Sequence, residues 1–166
     1  AYTFHLKDQP SYDSDKAIEV AKIFEWDIEV IEVPTDNLPN DFFTLLSKYQ
    51  CKKKTHFECA FPFMYIYPKI KEKYVISGLG ADGFCGLSKK AALHFKEPKV
   101  VFDNFRREHH NKINYGGIDQ QFILCKQYNK ILIHPYYKHQ KVIDFFMQFD
   151  WYDLNKPFQK HHVRNA

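Results

Sequence analysis

The sequence predicts an α/β fold: a parallel sheet with crossover helices, followed by an α-helical C-terminal part. Three observations predict it. The chain opens with a strand–helix–strand pattern, from Tyr2 to Val33. A short apolar run, Tyr74-Val75-Ile76, passes straight into Ser-Gly-x-Gly-x-Asp-Gly, from Ser77 to Gly83. From Leu87 onward the apolar spacing becomes helical. The expected organisation is one domain over residues 1–166, with an α/β part over 1–86 and a helical part over 87–166.

Tyr2 to Leu6 reads as a strand because it is rich in aromatic and β-branched residues. A polar loop with Pro10 leads to a helix from about Asp13 to Trp26. Asp13, Ser14 and Asp15 are its N-cap candidates and suit the positive helix end. Ala17, Val20, Ala21 and Phe24 fall at i, i+3, i+4 and i+7, predicting the inward face. Ile28 to Val33 is a second strand, stopped by Pro34. Strand, helix and strand in this order imply a parallel pair with a right-handed crossover.

Pro39 opens a helix that carries Phe42, Phe43, Leu45, Leu46 and Tyr49 and ends near Gln50. Cys51 to Thr55 is a basic loop, read first as a solvated charge run and second as a loop facing an anionic substrate. A further helix is expected between Pro62 and Pro68, and Glu58 reads as a paired surface carboxylate. Tyr74-Val75-Ile76 then reads as a buried third strand.

Beyond it, helices are expected over 89–95, 98–110, Ile118 to Tyr128 and Lys138 to Phe149. The last should turn Val142, Phe145, Phe146 and Phe149 inward. Gly116-Gly117 is a break, and Ile131-Leu132-Ile133 a short buried run. The cluster Arg106 to His110 reads as a solvated helix end, because adjacent histidines on a helix do not face each other. The tail from Pro157 reads as a short helix with Lys160 and Arg164 on one face.

The chain has 166 residues, enough to bury a real core. Its 17% aromatic content argues against disorder. The net charge of +4 suits an anionic ligand such as ATP as well as weak nucleic-acid affinity, so it decides little. None of the four cysteines forms a CxxC pair or sits at zinc-finger spacing from a histidine. With no signal peptide and no run of about 18 apolar residues, the expectation is a cytoplasmic protein with reduced thiols and no membrane partner.

The stretch from Ser77 to Gly86 carries the chemistry. Glycines at the end of a strand let the backbone approach a phosphate, and an acid just beyond can hold Mg²⁺. Ligands of open α/β sheets bind outside the carboxyl ends of strands. The ordinary reading is a strand-to-helix turn in which glycine satisfies geometry alone.

Four segments resemble the synthetase domain of the asparagine synthetase family, in that family's order and over almost the whole chain. Ser77-Gly78-Leu79-Gly80-Ala81-Asp82-Gly83-Phe84-Cys85-Gly86 is similar to its S-G-E-G-x-D-E-x-F-G-G loop. Lys160-His161-His162-Val163-Arg164 resembles its K-x-x-L-R signature. Ile133 to Tyr137, followed by Val142 to Phe145, resembles its R-x-P-F-L-D segment and the hydrophobic run after it. Thr3 to Leu6, with Asp15 and Ala17 to Ala21, resembles its second strand and following helix.

The resemblance implies an adenine nucleotide α-hydrolase-like (PP-loop) fold and a carbon–nitrogen ligase that adenylates a carboxylate, releases pyrophosphate and AMP, and forms an amide. It implies ATP and Mg²⁺ as cofactors. Asp82 would bind the metal and pyrophosphate, and Lys160 would neutralise charge building on the phosphates. Leu6, Ser77, Gly78 and Gly80 would bind ATP. The substrate would be a small-molecule or peptide carboxylate.

The family's first loop, S-G-G-x-D-S, is absent; family order puts it just before Tyr2. A truncated domain is therefore expected, with an upstream segment carrying that loop or a separate glutaminase as partner. The sequence also departs from the family at Leu79 and Gly83, where the family has glutamates, and at Ile133 and Lys138. Two other readings stand beside the ligase. One is a degenerate, non-catalytic binding or regulatory member of the fold, favoured by Leu79, Gly83 and the absent loop. The other is a PP-loop enzyme acting on nucleic acid or a modified base, supported by Lys52 to Lys54 with Phe57, Phe61 and Phe63 nearby.

Overall fold

The computed structural model describes residues 1–9, 11–79, 81, 103–104, 117–135, 139–155 and 157. It is mixed α/β, with two small parallel two-stranded sheets. The chain divides into two compact units, Ala1–Tyr74 with Gly116–Ile131, and Val75–Tyr115 with Leu132–Ala166.

In the first unit, β1 (Tyr2–Leu6) pairs in parallel with β2 (Glu29–Val33), Tyr2 opposite Glu29 and Leu6 opposite Val33. Between them runs α1 (Tyr12–Ile23), the crossover that parallel neighbours require. Its N-cap is Ser11, two residues earlier than the first expected candidate; the Ser11 hydroxyl accepts from Ser14 N at 3.3 Å. Asp13 and Asp15 occupy the first turn instead, where they complement the helix dipole.

The buried stripe of α1 also differs from expectation. Ser14 and Ala21 are buried and Ala17 and Ile18 half-buried, whereas Val20 and Phe24 are exposed. The two stripes share Ala17 and Ala21. The one with smaller side chains faces β1, on which α1 packs. Phe24 stacks on Trp26 outside, ring centroids 5.0 Å apart. A Schellman motif ends the helix: Trp26 N donates to Ala21 O at 2.8 Å and Glu25 N to Lys22 O at 3.4 Å. Glu25 takes the left-handed position, φ 54°.

Helix α2 (Leu38–Tyr49) carries Pro39 in its first turn and ends at Gln50 in the left-handed region. Asp41, Leu45 and Tyr49, four apart, form its buried stripe. Helix α3 (Lys54–Ala60) begins inside the stretch expected as a basic loop, because Lys54 pairs with Glu58 one turn on, 3.4 Å apart. A short α4 (Phe63–Ile66) lies between Pro62 and Pro68. Phe42 packs on Phe57 and Phe61, and Phe63 on Phe4 and Tyr67. Tyr2 at the start of β1 donates to Glu72 at 2.6 Å and accepts from Lys71 N at 3.1 Å.

Helix α5 (Ile118–Gln127) closes this unit by packing on α2, α3 and α4. Gly117 caps it at φ 86°, and a Cβ there would lie 2.9 Å from Cys59 Cβ. That close approach requires glycine. Gln121, fully buried, donates to Cys59 O at 2.8 Å.

In the second sheet, β3 (Tyr74–Ile76) and β4 (Ile131–Ile133) are joined by Ser77 N donating to Ile133 O at 3.0 Å. Neither is the buried run that was expected. Tyr74 is 59% and Ile76 73% exposed, and Leu132 alone is buried in β4. Successive side chains of a strand point to opposite faces, so a short apolar run hides one face when a single face is covered.

Helix α6 (Gln140–Met147) is shorter than the expected span from Lys138. Ile143 is its buried residue, against Ala81, Phe146 and Met147. Phe145, expected inward, is 50% exposed and packs edge-on against Phe146 and Phe149. Helix α7 (Trp151–Asn155) was not expected. It is started by a reciprocal cap: Asp153 N donates to Asp150 Oδ1 at 3.0 Å and Asp150 N to Asp153 Oδ2 at 3.1 Å. Its Leu154 is buried.

The helix expected over 89–95 and the C-terminal tail helix lie outside the described residues. Of the helix expected over 98–110, Asp103 and Asn104 are described, and both are helical. Among the described residues no helix is long and apolar enough to cross a membrane.

Candidate functional site

The carboxyl end of β1 opens into a cleft of about 360 Å³, within the ~300–1,000 Å³ typical of ligand sites. Local geometry explains why a cleft forms there. Lys7 N still bonds to Val33 O at 2.8 Å, so the pairing with β2 persists to the strand end. Asp8 then turns the chain at φ 58°, and Gln9 N donates back to Leu6 O at 3.0 Å. This tight reversal, followed by the Ser11 cap, leaves the strand end and the first turn of α1 facing one concavity.

Phe4, His5 and Leu6 line the strand side, and Gln9, Ser11, Tyr12 and Asp13 the loop and helix side. His5 Nδ1 lies 3.1 Å from Leu6 O. A carbonyl oxygen can only accept, so Nδ1 carries the proton. Lys7 is turned to Asp36 by an ion pair of 2.8 Å, which raises the pKa of its ammonium.

Of the residues singled out from sequence, Leu6 lines this cleft. Ser77 and Gly78 lie in the turn after β3. Ser77 Oγ accepts from Leu79 N at 3.2 Å, and Ala81 N donates to Gly78 O at 3.1 Å. Among the described residues a Cβ at Gly78 would meet nothing within 4 Å, and the φ of Gly78 lies outside the left-handed region. Among the described residues, neither packing nor backbone conformation therefore requires glycine at 78, in contrast to Gly117. Gly80, Asp82 and Lys160 lie outside the described residues.

His5, Tyr12 and Asp13 were not recognised as site residues from sequence. The available signal was position: they flank the first loop that follows a strand carboxyl end. The basic run divides: Lys52 and Lys53 are exposed, while Lys54 is engaged by Glu58. Cys51 and Cys125 are buried and Cys59 half-buried, all free thiols, and burial pushes the Cys51 thiol up to about 11. Thiols held protonated in this way are poor nucleophiles and poor metal ligands. Among the described residues no group of three or more His, Cys, Asp or Glu side chains is placed to hold a metal ion.

In comparisons with known proteins, no protein-family model matches the chain and no curated protein matches it.

Proposed function

We propose that the protein is an ATP-dependent, carbon–nitrogen bond-forming ligase of the asparagine synthetase type, built on an adenine nucleotide α-hydrolase-like fold within a single domain. The observation that carries the reading is the cleft at the carboxyl end of β1, lined by Leu6, in a parallel strand–helix–strand unit. Such strand ends are where open α/β folds hold nucleotides.

A second observation supports it. Among the described residues nothing stands within 4 Å of where a side chain at Gly78 would begin. Close approach of a phosphate to the backbone accounts for such a glycine. Magnesium would supply charge neutralisation at the phosphates, with Asp82 as its ligand and Lys160 as the fixed cation. The chain's own contribution would be to hold the nucleotide and orient the carboxylate at its α-phosphate. In this reading the carboxylate is a small molecule or peptide, and the first phosphate loop or a glutaminase is an upstream or partner element.

Product analysis tests the proposal. Incubation with Mg·ATP, ammonia and a panel of carboxylates should yield AMP and pyrophosphate together with an amide. ADP and inorganic phosphate as products would refute it. The degenerate-member reading keeps one support, Leu79 and Gly83 at positions where the family carries glutamate; it predicts nucleotide binding with no product from any carboxylate.

A further inference from the structure

Strand β2 has a partner on one side alone, β1. Glu29 N donates to Ala1 O at 2.9 Å, and Lys7 N donates to Val33 O at 2.8 Å. Tyr2 pairs with Glu29 and Leu6 with Val33, so Glu29, Ile31 and Val33 turn their main-chain N–H and C=O groups toward β1. Val30 and Glu32 turn theirs the other way. Among the described residues nothing bonds to those groups.

Proteins guard a free strand edge with lysine, proline, a bulge or other charged side chains. From Glu29 to Val33 there is no lysine and no proline. The register with β1 runs unbroken, so there is no bulge. Glu32 is the one charge at the outward-bonding positions, and its neighbour there, Val30, is 40% exposed. Just before the strand, the stacked Phe24 and Trp26 each leave more than half of their surface in water. Open main-chain groups and uncovered apolar side chains therefore occur together between Phe24 and Glu32.

We propose that this edge pairs with the same edge of a second copy of the chain, antiparallel about a two-fold axis at Ile31. Val30 then lies opposite Glu32 of the second copy, and each such pair exchanges both main-chain bonds. This register joins both outward residues of β2 to residues inside the copy's strand. An axis at Glu32 would set two carboxylates face to face and put Pro34, which has no N–H, opposite Val30. An axis at Val30 would carry Glu32 opposite Ile28, which lies outside the strand. Charge fits the Ile31 axis as well: each Glu32 faces a valine, and its own copy stands diagonally, about 7–8 Å away. A two-fold contact of this kind closes on itself, so it yields a dimer and no chain of subunits. The proposal is independent of the ligase reading and uses no residue of the β1 cleft.

Sedimentation of the full chain tests it. A monomer–dimer equilibrium with no larger species should appear as concentration rises through the micromolar range. Position 30 then reports the register, because its side chain stands beside Glu32 of the second copy. Val30→Lys places an ammonium there, and Val30→Glu places a carboxylate. The lysine variant should dimerise about tenfold more tightly than the glutamate variant at low salt, and the gap should shrink at high salt. The equilibrium of the unaltered chain stands as a test even if a variant folds poorly. A chain that stays monomeric at millimolar concentration, open-ended assembly, or a folded lysine variant no tighter than the glutamate variant would overturn the proposal.

Discussion

The Tyr65 hydroxyl donates a 2.7 Å hydrogen bond to Asp41 Oδ2, joining the loop-rich α4 segment to the buried stripe of α2. Asp41 is 6% exposed. A buried carboxylate that loses its donor keeps its desolvation cost. Tyr65→Phe should therefore destabilise the fold by about 1–3 kcal/mol, read as a lowered urea midpoint at unchanged slope. A midpoint within error of the parent would show that water replaces the hydroxyl.

The same unit should be sensitive to alkali. Burial first, then the bond to Asp41, pushes the Tyr65 hydroxyl up to about 12, and burial pushes the Cys51 thiol up to about 11. Burial also raises Tyr67, Tyr49, Cys59 and Cys125. Folding thus favours the protonated forms. That stability is fully present below the ordinary thiol value of 9.0 and is lost as pH climbs through the raised values. The urea midpoint should fall steadily from about pH 9 to about pH 12, and Tyr65→Phe should flatten the upper part of the fall. A flat midpoint across that window would contradict the assignment.

Two glycines should behave in opposite ways. Gly117→Ala introduces a Cβ 2.9 Å from Cys59 Cβ at φ 86°, and should cost about 1–3 kcal/mol. Gly78→Ala meets none of the described residues and should leave thermal stability nearly unchanged. If the glycine is there for a phosphate, Gly78→Ala should nonetheless weaken Mg·ATP binding about tenfold or more. Loss of stability at 78, or intact nucleotide binding, would remove that support.

Glu25 holds a left-handed conformation at the end of α1, which costs a side-chain-bearing residue roughly 1–2 kcal/mol. Glu25→Gly should stabilise the protein by about 0.5–1 kcal/mol after the greater chain entropy of glycine is subtracted. A lower melting temperature would mean that the Glu25 side chain contributes more than its backbone costs.

Much of the backbone was legible in the sequence because its signals are local. The strand–helix–strand start, the Gln50 end of α2, the short helix between Pro62 and Pro68, and the Gly117 break all follow from periodicity, caps and steric limits. Burial was less legible. Ala17 and Ala21 belong to two overlapping stripes of α1, and packing on β1 selects the one that leaves Phe24 outside. Tyr74 and Ile76 read as buried because apolarity was taken for coverage on both faces. The α7 start was written in Asp150 and Asp153, three apart, and needed a cap to be sought there. In the candidate site, Leu6 was legible through resemblance, but His5 and Asp13 line the cleft only because Asp8 reverses the chain.

The central claim is tested most directly by ATP–pyrophosphate exchange. With labelled pyrophosphate, Mg·ATP and a panel of carboxylates, at least one acid should drive label into ATP, and Lys160→Ala and Asp82→Ala should each abolish it. No exchange with any acid in the full protein, or exchange undiminished in both variants, would contradict the account.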